Sequence, residues 1–299
     1  MVTLQLMMFL LIGIGFLVRR KGIIGGSTRK ELVDFCLYVT LPFNIFHSFQ
    51  MEWEQGMLTE LAEVLLLSAG YNLISIAVSF LCYRKITSDR QKPLRYGTIV
   101  SNGGFLGNPV VEGVYGTQGL FYASVFMLPV RIVMWSVGTS CFLKDKVNPG
   151  SVAKKVLTHP CIVSIYLGLA VMISGLKFPA FLDNTISGVS ACNTPLSMML
   201  VGMMLAEMNP RGIFDKTMLS YTFIRLAVIP AVIFALTVWM PIPPILRGTG
   251  VIIAGMPAPV TTALLSSKYG GDETYATGMI FFSTVMSLFT LPLWCLVLK

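Results

Sequence analysis

The sequence predicts an all-α integral membrane protein of about ten transmembrane helices, built as two inverted five-helix repeats with broken, crossing helices 4 and 9. Three observations carry this expectation. Of the 299 residues, 55% are hydrophobic and 12% charged, against about 25% charged in a soluble domain, so half of the usual water-facing surface is missing. The apolar residues come in blocks that approach the ~20 residues a helix needs to cross a ~30 Å hydrocarbon core. Residues in the two halves also recur at a nearly constant offset. Adding 153 takes Gly15, Gly22 and Pro42 to Gly168, Gly175 and Pro195, and Tyr122-Ala123 to Tyr275-Ala276; adding 154 takes Tyr115-Gly116 to Tyr269-Gly270.

Ten segments follow, at 3–18, 31–49, 61–83, 96–115, 118–143, 156–175, 184–207, 217–240, 246–267 and 273–298. Their connections are too short to hold a soluble domain. The division is 1–144 for the first repeat, 145–155 for a short basic linker and 156–299 for the second repeat. An odd number of helices per repeat brings the second half in from the opposite face, the arrangement found in secondary transporters. The stretch Thr3–Val18 is followed by Arg19-Arg20-Lys21. A signal peptide has the reverse order of charge and apolar run, so this stretch reads as a retained first helix.

Charge gives the orientation. The odd-numbered loops hold seventeen Lys and Arg, among them Arg19, Arg29, Arg84, Arg90, Lys144, Lys146, Lys154, Arg211 and Lys268; the other side has Lys177, Arg247 and Lys299, with Glu52, Glu54 and Glu60 in the second loop. Basic loops stay cytoplasmic, so both termini are expected outside. The net charge of +8 belongs to these loops and to anionic lipid, which excludes a nucleic-acid partner. The six cysteines (36, 82, 141, 161, 192 and 295) lie in apolar segments without a C-x-x-C pair. Neither a metal site nor a disulfide framework is indicated, and no cofactor is expected beyond a coupling ion, a proton or sodium.

The fourth segment contains Ser101-Asn102-Gly103-Gly104-Phe105-Leu106-Gly107-Asn108-Pro109. Gly costs about 1 kcal/mol and Pro about 3 kcal/mol in a helix interior. In lipid, each freed backbone group must find a partner. A broken helix is therefore expected, with a half-helix beginning after Pro109 and its positive end facing a cavity where an anion is favoured. A close-packing G-x-x-x-G face at Gly103 and Gly107 is the alternative, but it does not account for Asn102, Asn108 and Pro109. The ninth segment carries Met256-Pro257-Ala258-Pro259, then Thr261, at the corresponding place. Breaks at matching positions point to a transporter's binding site. Pro42 with Asn44, and Pro195 with Asn193, Thr194 and Ser197, would add polar groups to it. The candidate substrate site is Asn102, Gly103, Gly104, Asn108, Pro109, Met256, Pro257, Pro259, Thr261, Asn44, Ser197 and Arg131.

Intramembrane charges face a partner or a cavity. Glu112 and Arg131 fit either a buried ion pair or a division of labour in which Arg131 attracts the anion and Glu112 binds the coupling ion. Arg225 reads as a residue able to snorkel to the membrane surface. His47 and His159 read as interfacial or capping residues. No Ser/His/Asp set or nucleotide-binding loop supports an enzyme.

The run N-G-G-F-L-G-N-P at 102–109 with Y-G at 115–116 resembles the auxin efflux carrier family, which includes plant PIN proteins and bacterial malate and malonate carriers. A-G-M-P-A-P at 254–259, Y-G-G-D at 269–272 and S-L-F-T-L-P-L at 287–293 are similar to its C-terminal signature. The resemblance implies a fold like the bile acid sodium symporters, with helices 1, 2, 6 and 7 as scaffold and helices 3–5 and 8–10 as a transport domain. It also implies an organic-anion substrate such as malate, malonate or an auxin-like acid, and an elevator-like motion. The long cytoplasmic loop of the plant members is absent, which favours a compact carrier of a bacterial inner membrane. A second copy of the chain is left open as a partner. A transporter-like receptor that binds a ligand without moving it is the other functional class.

Overall fold

The computed structural model describes residues 2–53, 56–143, 149–207 and 215–298, which are helical with no strand among them. Glu54, Lys144, Lys146, Arg211 and Lys299 lie outside the described residues. Five helical stretches are long and apolar enough to cross a membrane: 57–82, 91–138, 180–207, 216–237 and 273–297. Two shorter helices, 149–157 and 160–174, bent by 59° to one another, make a sixth if they cross together. Large apolar side chains stand exposed along the helices, among them Leu66, Leu73, Phe181, Phe223 and Phe289. On a soluble monomer they would form apolar patches of the kind that drive association; against lipid they are solvated.

The elements in order are α1 (Val2–Arg20), α2 (Gly26–Phe35), α3 (Leu41–Ser48), α4 (Met57–Cys82), α5 (Gln91–Ile99), α6 (Asn108–Val133), α7 (Pro149–Leu157), α8 (Pro160–Ser174), α9 (Ala180–Ala191), α10 (Asn193–Glu207), α11 (Lys216–Phe223), α12 (Ile229–Thr237), α13 (Pro244–Ala254), α14 (Thr261–Tyr269) and α15 (Glu273–Val297). The stretch expected as linker is helical from Pro149, because Val152 and Val156, one turn apart, bury the same face.

Proline explains much of the irregularity. Widened π turns occupy Cys36–Thr40, Gly103–Gly107 and Ile224–Val228, and each ends two residues before a proline: Pro42, Pro109 and Pro230. A proline ring clashes with the carbonyl four residues earlier and cannot donate to it. One extra residue in the preceding turn relieves the clash, and such bulges collect at functional sites. Trp294 Nε1 donates to the Leu226 carbonyl, four residues before Pro230, at 2.9 Å.

Glycine sets the turns. Gly22 and Gly175 have φ of 71° and 63°, and Gly116 and Gly270 have φ of 66° and 71°. Left-handed backbone of this kind favours glycine. These four are the same glycines that recur 153 or 154 residues apart.

Packing falls into two sets. α1 lies along α10, and α3 packs on α8 and α9; separately, α4 packs on α5, α6 and α13, α12 on α13, and α14 on α15. Arg19 and Arg29 reach Glu207 at 2.6 and 3.0 Å within the first set. Arg90 reaches Asp215 and Asp272 at 3.1 and 3.3 Å within the second.

The α1–α10 seam depends on two glycines. A Cβ on Gly15 would overlap the Met199 carbonyl, and one on Gly202 the Ile12 carbonyl. Gly202→Ala should therefore lower the melting temperature in detergent, with overpacking costing about 1–3 kcal/mol. Gly188→Ala on α9, where a Cβ meets nothing within 4 Å, should leave it unchanged or raise it slightly. Equal behaviour of the two variants would contradict the close seam.

Candidate functional site

The backbone breaks twice near the middle of the molecule. The first break comes at Val100–Asn102, between α5 and the π turn that opens α6. This lies upstream of the expected point after Pro109. Pro109 instead falls in the first turn of α6, directly after the π turn that relieves its clash with the preceding carbonyls. The second break covers Gly255–Val260, between α13 and α14, and contains Pro257 and Pro259 as expected.

The breaks meet. Asn102 N–H donates to the Pro257 carbonyl at 2.9 Å. The Asn102 carbonyl accepts from Leu106 and Gly107 at 3.1 and 3.0 Å, starting the next helix. Gly103 is a close approach: a Cβ there would come within 2.7 Å of Met127 Sδ. One on Gly107 would come within 3.2 Å of Met256 Cγ. Thr261, at the start of α14, shares a 2.8 Å hydrogen bond with Tyr96 of α5. Ala258 N–H donates to Ser283 Oγ at 3.2 Å. Asn108, 1% exposed, has no partner for its Oδ1, and the buried Ser101 and Thr262 hydroxyls are likewise unpartnered. A buried polar group left unmet is the kind of feature that a ligand or water fills.

Arg225 lies at the centre of this arrangement, fully buried in the π turn between α11 and α12. Its Nε donates to the Met256 carbonyl at 2.9 Å, Nη1 to the Thr98 carbonyl at 2.9 Å and Nη2 to Tyr71 Oη at 2.8 Å. The expectation that it snorkels is therefore wrong. It stands nine residues into its helix, about 13 Å from the start at 1.5 Å per residue, too deep to reach the surface. The sequence signal was this depth, together with the lack of a neighbouring acidic residue.

A second polar cluster joins the two packing sets. Asn44 Nδ2 donates to Glu112 Oε1 at 2.9 Å and to Ser190 Oγ at 3.2 Å, and Thr194 Oγ1 donates to Glu112 Oε2 at 2.8 Å. Asn193 Nδ2 donates to Asn44 Oδ1, and Thr40 Oγ1 to Asn193 Oδ1, both at 3.2 Å. Ser197 contacts Cys36 Sγ at 3.3 Å. The two oxygens of Glu112 thus accept from α3 and α10, while Glu112 itself belongs to α6. The ion pair with Arg131 is not formed. Arg131 Nη1 lies 3.0 Å from His159 Nε2, and its Nη2 would be 3.7 Å from a Cβ on Gly104. Arg131 therefore borders the first break without touching Glu112. Asn193 and Thr194, singled out beside Pro195, complete the cluster with Ser190, which no motif marks.

The comparisons agree with a membrane carrier. Residues 1–295 match the family described as membrane transport protein. The chain belongs to this family, the auxin efflux carriers that its motifs resemble. It is 26% identical over 300 residues to an uncharacterized transporter of Methanothermobacter thermautotrophicus, covering 98% of this chain and 97% of that one. A second uncharacterized transporter, of Methanocaldococcus jannaschii, is 25% identical, with 97% and 96% covered. A Rhizobium meliloti protein provisionally named a malonate transporter is 23% identical over 298 residues, with 96% and 92% covered. The family and these relatives are transporters rather than enzymes, and the protein is a multi-pass membrane protein.

Asn44 is the hub of the second cluster. Asn44→Leu should leave Glu112 Oε1 and Asn193 Nδ2 without their partners, at about 1–3 kcal/mol each, and lower thermal stability in detergent. An unchanged melting temperature would show that the cluster is not formed in solution.

Proposed function

We propose that this protein is a secondary carrier for a small carboxylate, working by elevator-type alternating access. The observation that carries this reading is the meeting of the two breaks through the Asn102–Pro257 hydrogen bond. Half-helices that start at such a crossing turn positive ends toward it, and anionic substrate groups are held there in transporters of this design. Asn108, whose buried amide can donate through Nδ2 to a carboxylate, and Arg131 beside Gly104 would complete the site. The name of the Rhizobium relative supports malonate as the first substrate to test.

Ten spans in two inverted five-helix repeats account best for the helices and for the matched left-handed glycines. The two packing sets correspond to a scaffold (α1–α3 and α8–α10) and a transport unit (α4–α6 and α11–α15). The basic loops support both termini outside. Glu112 then becomes a latch from the transport unit to the scaffold. Protonation would turn one of its oxygens from acceptor to donor and break the bond to Asn44 or Thr194. This supports proton coupling through Glu112.

Labelled malonate should enter proteoliposomes saturably. Asn108→Ala and Asn102→Ala should each weaken its binding about tenfold or more, the loss of one or two hydrogen bonds to a charged ligand. Glu112→Gln should abolish the response of uptake to a pH gradient while exchange of malonate for malonate survives. Binding without flux would favour a receptor, and a full pH response in Glu112→Gln would remove the coupling role.

A further inference from the structure

Arg225 poses an electrostatic question that the transport reading does not answer. A fully buried cation is costly unless its charge is met. Its three partners are two backbone carbonyls and a phenol, none of them anionic. The Tyr71 ring, 5.7 Å from the guanidinium carbon, adds a cation–π contact.

The missing negative charge comes from the backbone. Thr98 lies in the last turn of α5, and Met256 follows the end of α13. Each helix C-terminus carries about half an elementary negative charge, so the two ends together match one guanidinium. In transporters with discontinuous helices, half-helix C-termini and unwound carbonyls commonly coordinate a sodium ion or a proton. Here the planar fork of an arginine reaches both ends at once, a geometry suited to joining two acceptors.

We propose that the Arg225 guanidinium is a resident cation in the place of a metal ion at the crossing. It neutralises and ties together the carbonyl ends of the two half-helices, so that this carrier needs no sodium there. The positive half-helix starts are left uncompensated for the substrate. Arg225 is thus a positioning residue: it acts on the substrate through the backbone that it holds. The inference rests on the carrier reading for its transport consequences, while its charge logic can be read without transport.

The test uses the full-length protein, in proteoliposomes with labelled malonate and in detergent for thermal unfolding. Wild type should take up malonate equally in sodium and in choline buffers. Arg225→Ala should lose about tenfold or more of the uptake, as expected for a lost charge-assisted hydrogen bond. Millimolar guanidinium should restore uptake by that variant, and the neutral isostere urea should not. Arg225→Lys, keeping the charge without the fork, should keep part of the uptake. In detergent, guanidinium should raise the melting temperature of Arg225→Ala and leave wild type unmoved, a readout that survives if malonate proves not to be carried. Should Arg225→Ala not accumulate, the neutral Arg225→Gln carries the same comparison. Sodium-dependent uptake by wild type, full uptake by Arg225→Ala, or equal rescue by guanidinium and urea would each overturn the proposal.

Discussion

A backbone interrupted in the interior of a membrane protein must have its polar groups met by protein, because lipid offers no hydrogen bonds, and the central architecture depends on this constraint. The two breaks meet it mutually. Asn102 N–H finds the Pro257 carbonyl, Ala258 N–H finds Ser283, and Thr98 and Met256 share one arginine. Tyr221 donates to the Gly97 carbonyl at 3.0 Å. The partners come from α11, α15 and the π turn holding Arg225, all within one packing set. Satisfying the breaks therefore binds these helices into a unit, and the crossing is the reason that unit exists.

The contact between the two sets is of another kind. Glu112 meets Asn44 and Thr194 through side chains alone, and Arg131 meets His159 in the same way. Side-chain bonds can exchange for others or for water at a modest net cost of about 0.5–1.5 kcal/mol each. Orphaned backbone groups in lipid cost several times more. The set that contains the breaks is thus held together internally with the expensive kind of bond and to the other set partly with the cheap kind. The proposed elevator motion requires that division.

Much of this was legible in the sequence, for identifiable reasons. Apolar blocks and prolines act locally, so the helices and the second break at Pro257 and Pro259 followed from residue chemistry, while Gly116 and Gly270 stood out only as a repeat. The first break falls at Val100–Asn102, at the start of the Gly- and Asn-rich run rather than at Pro109, because the π turn at Gly103–Gly107 absorbs that proline. Glu112 and Arg131 were bracketed as partners by nearness in sequence. Nineteen positions separate them, interrupted by the non-helical Gly116, and each finds partners from distant segments instead. Arg225 was undervalued for a similar reason. Its partners at positions 71, 98 and 256 come from three other elements, and no local pattern announces a contact assembled by the tertiary fold.

The two-body account is tested most directly by distances. Spin labels at exposed Thr117 on the α6 side and Asp183 on α9 report between the sets; Thr117 paired with exposed Trp239 reports within one set. The labels belong in a background lacking the exposed thiols Cys82 and Cys192. In liposomes, malonate and a pH gradient should shift the 117–183 distance distribution between two populations while the 117–239 distribution stays fixed. Unmoved distributions for both pairs, in a preparation that carries malonate, would contradict the account.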